Sequence, residues 1–318
     1  MLLKPWASTL FLLGLTSPVA SRSDRGLIDT LVASGASKFA AHIKSDPDVL
    51  QLFLSGQFQT LFAPDDTAFD DAALQARDLT PTQRQMLAFH AVRGETSLGI
   101  ASRAIPGSVF ETANESPLLG GRGQRIVTDT RPANVTVFTK RWNHQPDQRR
   151  ETDAGSGPLL KITTGLGRAT NVIKGDIEYD GGLIHITDSY FTLPQSLSST
   201  SQVTGQVGFS GLLTDSDMGG ALDATSSVTV FIPSNAAFAA AAAANATGAP
   251  APELLSGHVV AGDVKYLPDL VDGSFLRAQT GEVLAVSVRD GIYYVNGARI
   301  TQANLVIANG VAHVVDKT

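Results

Sequence analysis

Two histidines stand three residues ahead of an aspartate, His185 before Asp188 and His313 before Asp316. A histidine beside a carboxylate is the pairing that general-base and nucleophilic catalysis use, with the carboxylate fixing the imidazole tautomer. The spacing argues against that use here. Residues three apart on a regular strand point to opposite faces, so neither pair forms a dyad without a bulge. Gly208-Phe209-Ser210-Gly211 lacks the closing glycine of a nucleophile elbow, and the Gly165-Leu166-Gly167 stretch lacks the third glycine of a dinucleotide loop. The other histidines, His42, His90, His144 and His258, add no close metal-ligand spacing. The expectation is a protein that is not an enzyme, hydrolase-type or other, and that needs no cofactor or metal.

Both pairs lie in a phrase written twice. Asp180-Gly-Gly-Leu-Ile-His-Ile-Thr-Asp188 returns as Asn309-Gly310-Val-Ala-His-Val-Val-Asp316. Upstream, Thr60-Leu-Phe62-Ala-Pro64-Asp-Asp-Thr-Ala-Phe69 returns as Thr229-Val-Phe231-Ile-Pro233-Ser-Asn-Ala-Ala-Phe238, and Leu87-Ala-Phe89-His90 returns as Leu255-Ser-Gly257-His258. Three matches in one order define a duplicated domain. The first copy is about 40 residues longer between its second and third matches, where Lys140 to Gly157 reads as a long polar loop. Within it Lys140, Arg141 and Trp142 form a candidate partner contact, an aromatic anchor with a basic rim. Phe89, His90 and His258 are weighed as further contacts against core packing.

The spacing of Leu27, Ile28, Leu31 and Val32 predicts a helix early in the first copy, and Ala236 to Ala244 predicts one in the second. Pro64 and Pro233 end strands, and the polar residues after them serve as helix caps. The back half of each copy is strand-rich, with Asp180-Gly181 and Asn309-Gly310 expected to supply positive φ in tight hairpins. Asp188 and Asp316 are expected to accept N–H groups of the turn that follows them. Each copy is therefore α+β, with helices first and an antiparallel β wedge last. The expected division is a secretory signal at 1–21, a first domain at 24–194, a polar linker at 195–202 that lets the domains reorient, and a second domain at 203–318.

Residues 1–21 carry one early lysine, an apolar centre and small residues near Ala20, the pattern of a cleaved secretory leader. A secreted chain with no cysteine relies on core packing, which 43% hydrophobic residues can supply. Sequons begin at Asn114, Asn134 and Asn245. A net charge of −6 excludes a nucleic-acid binder, which would need a basic footprint.

The Thr60 to Phe69 and Asp180 to Asp188 stretches, with His90 between them, resemble the motifs of fasciclin domains, and the second copy repeats the set. Phe89 and Gly257 stand where that family's tyrosine-histidine motif has tyrosine. The resemblance implies a tandem, fungal-like, secreted or cell-surface protein that acts by adhesion or matrix interaction. Its partners would be cell-surface or matrix proteins or glycans, another copy of itself included. Membrane contact would come only through a partner or a C-terminal anchor beyond these residues. The alternative is a secreted glycan- or lipid-binding module. Phe62, Pro64, Phe69, His185 and Asp188, with Phe231, Pro233, Phe238, Asn309, Gly310, His313 and Asp316, are then structural motif residues.

Overall fold

A computed structural model describes residues 26–68, 79–101, 105–129, 160–243 and 251–318. The leader, Phe69, Asn134, Asn245, Lys140, Arg141 and Trp142 lie outside the described residues.

The chain begins with three short helices, α1 (Leu27–Ser34), α2 (Ser37–Ser45) and α3 (Pro47–Leu54). Their apolar faces bury Leu31, Phe39, Ile43 and Phe53 in one cluster with Leu61 and Ile184 of the sheet and with Leu87. Gly35 closes α1 in the left-handed conformation that costs glycine no Cβ clash. The carboxylate of Asp46 caps α3, accepting from the N–H groups of Asp48 and Val49.

Seven strands follow or interleave: β1 (Phe58–Pro64), β2 (Ala91–Arg93), β3 (Ser108–Glu115), β4 (Gly123–Asp129), β5 (Leu160–Thr163), β6 (Ala169–Tyr179) and β7 (Gly182–Thr187). They close into a barrel in which consecutive strands pair antiparallel, and β1 completes the ring by pairing parallel with β7. Helix α4 (Pro81–Phe89), started by a Thr80/Gln83 capping box, leads into β2, and the single turn α5 (Leu98–Ala101) follows it.

The second copy opens with α6 (Leu197–Val203), α7 (Val207–Asp215) and α8 (Gly219–Ala224). Its strands are β8 (Val228–Pro233), β9 (Val259–Ala261), β10 (Phe275–Arg277), β11 (Val283–Arg289), β12 (Ile292–Val295), β13 (Ala298–Ile307) and β14 (Gly310–Val315). Helices α9 (Asn235–Ala243) and α10 (Ala251–Gly257) connect β8 to β9. The sheet order is β10-β11-β12-β13-β14-β8-β9, and β8 pairs parallel with β14 as β1 does with β7. Each copy is thus an α+β domain whose two repeated motifs lie side by side on the parallel pair. Strands β7 and β14 are buried along their whole length, which is why their sequences are apolar on both faces.

Two expectations about the join need correction. Residues 195–202 are not a free linker, because Ser196 caps α6 through the N–H of Ser199 and Leu197 is fully buried in the second core. The polar residues there belong to the helix itself, with Thr200 and Ser201 buried beside Leu197 and Ser199 exposed. Nor are the domains joined by the chain alone. Gln124 Nε2 donates to the Ala308 carbonyl at 2.7 Å, Ala308 N–H donates to Gln195 at 2.7 Å, and Val127 packs with Tyr266, Val306 and Val311. These contacts set a preferred arrangement where free reorientation was expected.

Candidate site built by the repeated motifs

Thr60 on β1 begins the first motif. Its hydroxyl donates to the Gly94 carbonyl at 2.7 Å and accepts the Thr96 N–H at 2.9 Å, holding the loop after β2 against the strand. Thr229 on β8 does the same for its own loop, donating to Asp263 at 2.8 Å and accepting from the Lys265 N–H at 2.8 Å.

The histidines complete this clamp. His185 Nε2 donates to the Thr96 carbonyl at 2.9 Å, and Nδ1 accepts the Asp176 N–H at 3.1 Å. His313 Nε2 donates to Lys265 at 2.9 Å, and Nδ1 accepts the Asn304 N–H at 3.4 Å. An amide N–H can only donate, so each Nδ1 is unprotonated and the proton sits on Nε2. Asp176 and Asn304 have φ of 54° and 60° and lie where the β6–β7 and β13–β14 registers shift. A bulge frees an N–H from the ladder, and the histidine accepts it. Each imidazole also lies against the phenylalanine of the first motif, with ring centroids 5.1 Å apart for Phe62–His185 and 5.7 Å for Phe231–His313.

Asp188 and Asp316 face away from these histidines. The backbone N–H groups they accept are not in the following turn, as their position at the strand end suggested, but on the neighbouring strand. Asp188 accepts the Asn171 N–H at 2.9 Å and Asp316 accepts the Arg299 N–H at 2.7 Å, which extends each ladder by one side-chain bond. Of the hairpin residues expected to carry positive φ, Gly310 alone does so. Asp180, Gly181 and Asn309 are not among the positive-φ residues; Gly182 and Gly310 are, at 148° and 155°. Asn309 is buried and donates through Nδ2 to the Leu222 and Thr225 carbonyls, tying the hairpin to the end of α8.

Pro64 and Pro233 end the parallel pair opposite Thr187 and Val315. Of the residues that follow, Asp65 and Ser234 cap locally, accepting from the N–H groups of Ala68 and Ala237. Asp66 and Asn235 reach back to the second helix of their own domain. Asp66 accepts the Lys38 N–H at 2.8 Å, and Asn235 accepts the Gly208 N–H at 2.9 Å. Asn235 was expected to cap the helix that follows it; the bonds of Thr60, Thr229 and Asp66 were not expected from the sequence, although a hydrogen-bonding residue at matched positions of both copies is the signal that marks them. Phe238 packs half-buried against the second core.

The proposed partner contacts Phe89 and His90 are both fully buried and unavailable to a partner. His90 Nδ1 donates to the Phe62 carbonyl at 2.8 Å, and Nε2 accepts the Phe191 N–H at 3.1 Å. His258 is half-buried and opens onto a pocket. Asn114 lies on β3 with 8% exposure, which withholds its Nδ2 from a glycan; the triplet alone could not reveal the burial. Among the described residues, no group of three or more His, Cys, Asp or Glu side chains is placed to hold a metal ion.

The family model for the fasciclin domain matches residues 207–318, the stretch that carries α7 through β14 and the whole second clamp. Residues 207–318 are a fasciclin domain. The first domain repeats the clamp bond for bond. The chain is 30% identical over 190 residues to a fasciclin-like arabinogalactan protein of Cercospora beticola, covering 57% of this chain and 49% of that one. It is 25% identical over 263 residues to another from Phaeosphaeria nodorum, covering 81% and 76%. It spans about half the length of the first of these relatives. A solved FAS1 domain pair from the insect cell adhesion molecule fasciclin I aligns over 90% of this chain and 97% of its own, at 19% identity and a TM-score of 0.40.

Burial pushes the His90 imidazole down to about 3 and that of His313 to about 4, only partly offset by the carbonyls that accept their N–H groups. His185 and His258 are lowered for the same reason. Below the ordinary value of 6.5, unfolded chain takes up protons that the folded domains refuse. The contribution is therefore whole above pH 6.5 and lost as pH falls, by about 1.4 kcal/mol per pH unit for each such histidine until its folded value is reached. Asp46 and Asp66 contribute in a lower window. Burial alone would raise them, but Arg84 and backbone N–H groups on Asp46, and the Lys38 N–H and Ser37 hydroxyl on Asp66, outweigh it and hold both below 3.8. Urea midpoints should fall steeply between pH 6.5 and 4.5, and a flat profile there would contradict the neutral, buried assignment.

Proposed function

We propose that this chain is a non-enzymatic extracellular protein that works by adhesion or matrix interaction. The observation that carries the reading is the use made of the histidines. The two in the motif most suggestive of catalysis have both ring nitrogens bonded to backbone inside the core, and their aspartates are bonded to a different strand. Residues 1–21, read as a leader, and the sequons at Asn134 and Asn245 support entry into the secretory route. The names of the fungal relatives, which describe arabinogalactan proteins, accord with an extracellular glycoprotein.

The partner is a cell-surface or matrix protein or glycan, with a second copy of the chain as one form of it. Purified full-length protein coated on beads should be retained saturably on cells or isolated matrix, or should cluster the beads through self-contact. Equal behaviour of beads coated with heat-unfolded chain would remove the proposal.

A further inference from the structure

The two sheets differ in closure. Strands β1 to β7 form a ring, in which β2 joins β3 through Val92 and Thr112. The sheet of the second domain runs from β10 to β9 and stays open between them. Among the described residues one backbone bond reaches across, from the Gln279 N–H just after β10 to the Val259 carbonyl at 2.8 Å. Closure removes sheet edges, whereas an open sheet presents unpaired N–H and C=O groups to an arriving strand.

Alternation along the hairpin shows which groups those are. The Val286 N–H donates to the Ser274 carbonyl and the Ala278 N–H to that of Glu282, both at 2.9 Å, so residues 274, 276 and 278 turn their backbone towards β11. Phe275 and Arg277 turn theirs the other way, and among the described residues no backbone group bonds to them there. Their side chains lie on the solvent face, while Leu276 between them fills the core. Phe275 is 69% exposed, and Val283, the cross-strand partner of Arg277, is exposed on the same face. An exposed phenylalanine on an unpaired edge is a feature that soluble domains ordinarily avoid.

We propose that β10 is a self-association edge, on which two copies of this chain pair antiparallel about a two-fold axis at Leu276 and continue one sheet from copy to copy. The register follows from the side chains. With Phe275 opposite the partner's Arg277, the outward N–H and C=O groups of both residues are all bonded, and a phenylalanine–arginine pair lies on either side of the axis. Sliding the strands until Arg277 faces its own counterpart would set like charges opposite each other, which destabilises a sheet. The chain already uses the favoured pairing within itself. Phe58 and Arg93 stand directly opposite on β1 and β2, with the guanidinium 5.0 Å from the ring centroid. A two-fold contact requires such a self-complementary patch. So short an edge makes a weak contact, and weak contacts serve adhesion when many copies are held on one surface. The inference rests on the adhesion reading and names a surface for contact between copies. The two fail separately: cell or matrix retention by a chain that never pairs removes only this inference, whereas a dimer on beads that behave like those coated with unfolded chain removes only the adhesion reading.

Sedimentation equilibrium of the full chain over a wide concentration series, with amide exchange at each concentration, tests the edge. A reversible monomer–dimer equilibrium is expected, with exchange at the Phe275 and Arg277 amides slowing several-fold as concentration rises and the Gln279 amide, already bonded, little changed. Phe275→Lys, at an exposed site, should weaken the dimer about tenfold or more, because it sets lysine against arginine on both sides of the axis. Adding Arg277→Glu should recover most of that loss, since each introduced lysine then faces an introduced glutamate. Recovery by a second substitution also shows that the single variant was folded. A chain that stays monomeric, a dimer whose Phe275 and Arg277 amides exchange as fast as the monomer's, undiminished pairing in Phe275→Lys, or a double variant no better than the single one overturns the proposal. So does protection of those amides that appears only with a matrix extract while the chain stays monomeric, which assigns the edge to another partner.

Discussion

Gly310→Ala is expected to destabilise the second domain by more than about 4 kcal/mol, the range reached only when backbone itself must move. A Cβ at Gly310 would lie 1.9 Å from the Val228 carbonyl oxygen and 2.9 Å from the Val228 carbonyl carbon and nitrogen. Those atoms belong to β8, the parallel partner of β14, so no side chain can yield to make room. Separating the strands would break the register that runs from Gly310–Val228 to Val315–Pro233 and expose the most buried part of the core. The φ of 155° adds a conformation that other residues rarely adopt. Gly182→Ala should do the same to the first domain, where the clash is with the Gln59 carbonyl, also at 1.9 Å. Gly291→Ala is the control: its φ is 74°, nothing lies within 4 Å of the added carbon, and a cost of about 1 kcal/mol is expected from the backbone alone. Urea denaturation of the three variants would decide the matter. Gly310→Ala and Gly291→Ala with equal midpoints would show that the close approach is not a constraint.

That glycine shows where sequence reading stops. The order of the repeated stretches was enough to recognise two copies, and the apolar runs of β7 and β14 were enough to expect strands covered on both faces. The turn chemistry was misplaced by one residue in the first copy and was right for Gly310 but not Asn309 in the second, because Asn-Gly and Asp-Gly signal a hairpin without saying which residue carries the unusual φ. The glycine's real constraint comes from β8, some 80 positions away in the chain, and such a contact leaves no local trace. The same holds for Asp66 and Asn235, whose position after a proline suggests a cap for the next helix although each caps an earlier one. Parity on the strand correctly separated each histidine from its aspartate. It could not identify the bulge residues Asp176 and Asn304, which supply the histidines' donors through positive φ.

The histidine clamp yields the second large effect. His313→Ala removes the acceptor of the Asn304 N–H and the donor to the Lys265 carbonyl in one step. Both backbone groups then sit beside a cavity where an imidazole with 0% exposure had been. A buried polar group left without a partner costs about 1–3 kcal/mol, so the pair, with the lost packing against Phe231, should lower stability by about 3 kcal/mol. His185→Ala should have a similar effect through Thr96 and Asp176. Position of the loss matters more than its size. Thr229 holds the same loop from its other side, so amide exchange in His313→Ala should accelerate first at Lys265, at Asn304 and along β13 and β14. The first domain should follow only weakly, through the Gln124 and Val306 contacts. Thr229→Val, which keeps the shape of the side chain and removes its hydroxyl, should accelerate exchange in that loop while leaving the Asn304 amide protected by His313. If His313→Ala instead retains full protection at Asn304 and Lys265 and loses only binding to cells, the imidazole serves a partner and the clamp is not its role.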